Sequence, residues 1–290
     1  MIAPAKLNLF LHVAPPRPDG LHELFSLAVF TDFGDEVAIT NASRLGLTIE
    51  GPFADDLSTN TSDNLAWLAA LSLETWCANN NLDNNGAAIC LTKNLPVASG
   101  IGGGSSDAAS TLLELASHWK LSIGDDELHE IAISLGADVP VCLHQKPAWM
   151  TGVGDKVVAG PSIPNLPVVL VNPQMPLSTR DVYLEFDRLD SQGTEIISNN
   201  LPIEFPTLDS FFEFIRERNN DLEVAAKALE PSIDLVLHEL DLSNAAITRM
   251  SGSGATCFGI YDEQDKAERS AKSIKSKHPD WWVNLTVLMS

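Results

Sequence analysis

Between residues 96 and 106 the chain reads Pro96-Val97-Ala98-Ser99-Gly100-Ile101-Gly102-Gly103-Gly104-Ser105-Ser106, followed by Asp107. No other run constrains the fold as much, because a main chain nearly bare of side chains joins a predicted strand to a predicted helix. Upstream, Ala87-Ala88-Ile89-Cys90-Leu91-Thr92 is a short apolar run suited to a buried strand; downstream, Ala108, Ala109, Leu112, Leu113, Ala116 and Trp119 recur at helical spacing. Gly100 and Gly102 to Gly104 can take backbone angles closed to other residues, so several N–H groups can turn toward one point and a bulky polyanion can approach the main chain. The helix start adds its unpaired N–H groups and its dipole, and Ser105 and Ser106 can cap that turn or donate to phosphate oxygens. The segment therefore reads as a phosphate loop. It lacks the Lys-Ser/Thr ending of a Walker A loop, and the βαβ unit with its acidic residue that follows a dinucleotide fingerprint is missing.

With 290 residues, 44% hydrophobic and 20% charged, the chain can bury a substantial core, and two domains are expected. A net charge of −21 and a pI near 4.5 argue against nucleic acid and anionic membrane surfaces as partners. Any phosphate site must then depend on local donors, a few placed cations and Mg²⁺, not on long-range steering. The scattered Cys77, Cys90, Cys142 and Cys257 form no Cys-x-x-Cys pair and read as buried free thiols of a reducing compartment. Lys6, Asn8 and His12 interrupt the apolar N-terminus, so it does not read as a secretory signal, and no stretch reaches the length of a membrane span. A soluble, cytoplasmic protein is expected. The histidines and cysteines show no metal-ligand spacing, and no metal ligand is assigned among the carboxylates.

Residues 5 to 13 alternate, with Lys6, Asn8 and His12 on one side and Leu7, Leu9 and Leu11 on the other, which predicts a half-buried strand. Pro18-Asp19-Gly20 predicts a turn that delivers Leu21-His22-Glu23 into the next segment. Strands are expected over 33–40 and 45–50, then a helix introduced by Ser62-Asp63-Asn64. A later amphipathic helix carries Leu128, Ile131, Ala132 and Leu135, with Gly136 where a left-handed cap would go. Asp138 then opens a predicted strand over 139–143. Ser251-Gly252-Ser253-Gly254-Ala255-Thr256 reads as a second glycine/serine turn, between a helix-like and a strand-like segment, and as a second nest facing the phosphates.

Three blocks stand in order: residues 4–13, the glycine loop through Ala109, and residues 251–258. Together they resemble the GHMP small-molecule kinases. Within that superfamily, Arg17 to Leu24, Asp63-Asn64-Leu65, Gly136 to Pro140, Leu177-Ser178-Thr179 and Asn220 to Glu223 are similar to the branch acting on a cytidine diphosphate-linked methylerythritol. The resemblance implies ATP-dependent phosphorylation of the 2-hydroxyl of 4-diphosphocytidyl-2-C-methyl-D-erythritol, a step of the non-mevalonate route to isoprenoid precursors. It implies an α/β (α+β) fold of two domains, 1–162 and 163–290. The first is ribosomal-S5-like and binds ATP, the second is ferredoxin-like, and the active site lies in the cleft. A monomer or weak homodimer is expected. The other readings are a homoserine or mevalonate type of GHMP kinase and a catalytically silent nucleotide-binding homologue.

Residue by residue, the resemblance places Lys6 and Asp138 on the catalytic pair, Pro96 to Ser106 on the ATP phosphate loop, and Asn64 and Lys93 near the adenine. Asn8, His22, Thr179 and Tyr183 fall on positions lining the cytidyl pocket. Phosphoryl transfer depends mostly on positioning and electrostatics. Asp138 is accordingly read as acceptor of the substrate hydroxyl proton and Lys6 as the cation that orients it and offsets charge. Ser106 is a candidate hydroxyl ligand for the Mg²⁺ that accompanies ATP. The chain departs from the family at Leu21, where a tyrosine usually stacks on the cytosine. Losing that stacking removes roughly 0.5–1.5 kcal/mol, and Tyr183 remains for the opposite face.

Overall fold

The computed structural model describes residues 1–57, 61–82, 84–189, 193–194 and 201–290. Its elements in order are β1 (Ile2–Pro16), β2 (His22–Asn41), β3 (Gly46–Glu50), α1 (Leu65–Asn79), β4 (Ala87–Thr92), α2 (Gly103–His118), α3 (Asp125–Leu135), α4 (Val139–His144), β5 (Ala148–Thr151), β6 (Lys156–Ala159), β7 (Pro167–Asn172), α5 (Thr179–Arg188), α6 (Leu208–Arg216), α7 (Glu223–Leu229), α8 (Ser232–Leu242), β8 (Ile247–Met250), β9 (Cys257–Ile260), α9 (Gln264–Lys277) and β10 (Trp282–Met289). The chain forms two compact units, each discontinuous in sequence. No helix among the described residues is long and apolar enough to cross a membrane.

The first unit comprises Met1–Ala5, Phe33–Val97 and Gly102–Gln145. The later half of β2 pairs antiparallel with β4, Glu36 opposite Thr92 and Asn41 opposite Ala87, while β3 runs parallel on the other side of β4. Helix α2 is buried on all sides from Ser106 to Leu112. Its Ala and Ser residues let α1, α3 and α4 approach closely, and a helix so enclosed shows no clean amphipathic stripe. Helix α1 starts where predicted: Asn64 Oδ1 accepts from Ala66 N at 2.9 Å and Trp67 N at 3.3 Å, satisfying amides that would otherwise lack partners.

The second unit comprises Lys6–Asp32, Ala98–Ile101 and Lys146–Ser290. Its antiparallel strands run β10-β7-β9-β8, with Val283 opposite Val171, Leu170 opposite Phe258 and Met250 opposite Cys257. The first half of β2 pairs with β5, which pairs with β6, and Leu288 of β10 lies opposite Thr31. The Pro18-Asp19-Gly20 turn forms as predicted: Gly20 sits at φ 79° and its N–H donates to Arg17 O at 2.8 Å.

Four local expectations are corrected. Residues 139–143 are not a strand but the body of α4, because a five-residue apolar run carries no period of its own and Pro140 is favoured in the first helical turn, where no N–H is required. Gly136 closes α3 in extended backbone, φ 161°, not in the left-handed region. Strand β1 is buried on both faces, so Lys6 and Asn8 lie in the interior and not on a solvated side. The segment before residue 251 is likewise strand β8, which makes 251–256 a hairpin connection.

Candidate functional site

The glycine loop connects β4 to α2 as the sequence predicted. Ala98, Gly100 and Gly102 lie in the left-handed region at φ 50°, 77° and 64°, an alternation of the kind that turns successive amides toward one side. Gly102 is the N-cap of α2 and supplies no side-chain acceptor, so no side chain caps the first turn. The dipole and first-turn donors there are those an anion would use. Ser105 is half-buried, but Ser106 is fully buried and its hydroxyl donates to Pro4 O at 2.6 Å. Helical register sets Ser106 against the start of β1. Among the described residues no group of three or more His, Cys, Asp or Glu could hold a metal ion.

Within the second unit, the 251–256 turn packs against residues 99 and 100. Ser251 Oγ donates to Gly100 O at 3.0 Å and accepts from Asn8 N at 3.2 Å, and Thr256 N donates to Ser99 O at 3.1 Å. A Cβ on Gly252 would lie 2.6 Å from Gly100 O, and one on Gly100 would lie 2.7 Å from Gly254 N, so both positions admit only glycine. The turn is held from behind by Asn220, which sequence reasoning placed in a family block without a role. Its Nδ2 donates to Met250 O at 2.9 Å and Gly252 O at 2.7 Å, and its Oδ1 accepts from Leu222 N at 3.0 Å.

Lys6 is buried on β1, with its N–H donating to Ile101 O at 2.9 Å. Asn8, also buried, donates from Nδ2 to Ser26 Oγ at 2.8 Å, and Ser26 passes a hydrogen bond to Phe10 O. In the first unit, half-buried Asp138 stands at the N-cap position of α4, yet its carboxylate makes no capping bond.

His22 follows the 18–20 turn on β2 and is 7% exposed. Its Nδ1 lies 2.8 Å from Ala14 O, an acceptor only, which assigns the proton to Nδ1 and leaves Nε2, 3.5 Å from Asp187 Oδ1, as the second functional atom. The Tyr183 ring is tilted against it at 5.1 Å and Phe186 meets it edge-on at 5.9 Å. Leu21 beside it is 51% exposed. Ser178 caps α5, and exposed Thr179 shares a 2.8 Å hydrogen bond with Ser253. Leu21, His22, Tyr183 and Thr179 thus come from one unit and gather on the β2 start and α5.

Lys93 lies in the interior of the first unit. Its ammonium is 3% exposed and donates to Asp107 Oδ2 at 2.6 Å and to Asp35 Oδ2. Burial opposes the charge on Lys93, but the two carboxylates outweigh it and hold its pKa above the usual lysine value. Burial pushes the Asp107 carboxyl up to about 8, with Asp35 adding to the rise and Lys93 only partly offsetting it. Asp107 Oδ1 is buried and meets no donor among the described residues. Asp35 and Asp107 escaped the sequence reading; the available signal was an acid at 107 in the midst of the apolar phase of a helix.

Residues 64–146 match the family described as GHMP kinases N terminal domain, and residues 205–280 match GHMP kinases C terminal. Over 288 residues the chain is 43% identical to a protein of Mesorhizobium japonicum named 4-diphosphocytidyl-2-C-methyl-D-erythritol kinase, covering 99% of this chain and 95% of that one. A protein of the same name from Agrobacterium fabrum is 41% identical, covering 98% and 94%. A solved structure of 4-(cytidine 5'-diphospho)-2C-methyl-D-erythritol kinase superposes with a TM-score of 0.76 at 29% identity, covering 100% and 99%.

Proposed function

Because this chain belongs to the GHMP kinases, and among them to the 4-diphosphocytidyl-2-C-methyl-D-erythritol kinase family, we propose that it transfers the γ-phosphoryl group of ATP to the 2-hydroxyl of 4-diphosphocytidyl-2-C-methyl-D-erythritol. The observation that carries this reading is full-length likeness, 43% identity over 99% of the chain. A likeness confined to the glycine loop would have supported only a nucleotide site.

In this reading the amides of Gly102 to Ser105 receive the phosphates, with the φ values of Ala98, Gly100 and Gly102 supporting the turn. Asn64 and Lys93 border the adenine. Asp138 takes the proton of the acceptor hydroxyl, a role supported by its place in the Gly136 to Pro140 block that the chain shares with the family. Lys6 supplies positive charge that offsets charge on the transferred group. His22, with Nδ1 held by Ala14 O, presents Nε2 to the cytosine between Tyr183 and the exposed Leu21, while Asn8 and Thr179 bind the polyol end. The Ser106 hydroxyl is the side chain that would help hold the Mg²⁺ accompanying ATP, which would supply charge neutralisation for the transfer. The four cysteines, none of them in a disulfide, suit a cytoplasmic enzyme.

The test is ADP release with the cytidyl substrate, homoserine or mevalonate as acceptor. Turnover with the cytidyl substrate alone is expected. Turnover with homoserine or mevalonate alone would reassign the enzyme within the superfamily, and ATP binding without phosphorylation of any acceptor would make it a silent homologue.

A further inference from the structure

Asp35 of β2, Lys93 at the exit of β4 and Asp107 of α2 meet in the interior of the first unit, each no more than 3% exposed. Asp35 Oδ1 accepts from the N–H groups of Asn94 at 2.6 Å and Leu95 at 2.8 Å, which fixes the chain as it leaves β4. Its Oδ2 accepts from Lys93, and Lys93 in turn donates to Asp107 Oδ2 at 2.6 Å. Gly103, the first residue of α2, rests on this cluster: a Cβ there would lie 3.5 Å from Asp35 Oδ2 and 3.6 Å from Lys93 Nζ. A buried acid–lysine–acid cluster is a poor device for stability, because apolar residues of similar volume usually serve as well. What it adds over apolar packing is direction, since charged hydrogen bonds fix distance and angle together.

We propose that Asp35, Lys93 and Asp107 form a positioning device for the nucleotide, setting where the first turn of α2 stands and how the amides of Gly103, Gly104 and Ser105 are aimed. Lys93 acts through Asp107, and its ammonium does not touch the nucleotide. The proposal rests on the ATP reading above, but it concerns affinity and not acceptor choice.

Asp107→Asn keeps the shape of the side chain and an oxygen for Lys93 while replacing the carboxyl by an amide that cannot share a proton with the cluster. The expected result is a KM for ATP, and a calorimetric Kd for ATP without acceptor, raised about tenfold, as for a misplacement of under an ångström. At saturating ATP, kcat stays within about twofold and the KM for the cytidyl substrate is unchanged. Asp35→Asn, whose Oδ1 still accepts from Asn94 and Leu95, is measured beside it and gives the same shift if Asp107→Asn does not fold. Folded variants with a lowered Tm but a wild-type Kd for ATP would overturn the proposal, leaving the triad a packing feature. Wild-type protein that binds ATP and phosphorylates nothing would sink the kinase reading alone, because the Kd comparison does not need turnover.

Discussion

Ser251 and Gly100 occupy each other's space: the serine hydroxyl donates to the Gly100 carbonyl at 3.0 Å, and the direction in which a Gly100 side chain would grow is filled by the Ser251 carbonyl. Gly100→Ala is therefore expected to do double damage, a left-handed φ of 77° costing roughly 1–2 kcal/mol and a clash with Gly254 costing more. Gly104→Ala is the contrast, since its Cβ would meet only Leu65 Cδ1 at 3.5 Å and helix propensity favours alanine by about 1 kcal/mol. Thermal melts should show a fall for the first and none for the second. A raised KM for ATP in Gly104→Ala without a fall in Tm would mark that amide as a phosphate contact; unchanged KM values in both variants would remove the loop from nucleotide binding.

Asp138→Asn and Lys6→Met are expected to lower kcat by about 10²–10⁴ while the KM for ATP moves less than about threefold, as befits groups acting on the acceptor proton and the transferred charge. Single-turnover measurements isolate the chemical step. An Asp138→Asn variant retaining wild-type rate in that step would end its role as proton acceptor.

Leu21→Tyr restores an aromatic face beside His22 at a half-exposed position, where a larger side chain meets little resistance. A gain of roughly 0.5–1.5 kcal/mol corresponds to a KM for the cytidyl substrate about two- to tenfold lower, with the KM for ATP unchanged. An unaltered KM for the cytidyl substrate would show that position 21 does not cover the base.

The Asp107 carboxyl links stability to pH. Its ordinary value of 3.8 is raised to about 8 in the folded protein, so the folded state holds a proton that the unfolded chain releases between those limits. Its stabilising contribution is full below the lower value and is lost as pH rises through the upper one. Lys93, raised above 10.5, adds a loss of the same sign at still higher pH. Comparison with Asp107→Asn cancels the titrating groups outside the cluster: the variant's Tm, relative to wild type, should climb from about pH 4 to about pH 8 and level off above it. A flat or falling difference would contradict the raised carboxyl.

The glycine loop, its flanking strand and helix, the Asn64 cap and the turn at 18–20 were all legible in the sequence because each rests on local stereochemistry. What escaped was set by register and tertiary surroundings. Val139 to Leu143 reads equally as strand or helix until its neighbours choose, and Ser106 differs from Ser105 only by 100° of helical rotation. Asp35, Asp107 and Asn220 are short polar side chains whose partners lie 14 to 60 positions away, beyond any local pattern. The alternation in β1 separated two faces correctly but said nothing of whether the polar one met water, and in the fold it does not.

The interleaving of the two units has a consequence for a chain made from one end. All segments of the first unit have been synthesised once Gln145 emerges, whereas His22 to Asp32 must wait for β5 and then for β10, the last strand of all, to complete their pairing. That leaves an apolar stretch without its native neighbours for much of translation, and makes β10 the strand that closes the sheet beside Phe30 and Thr31.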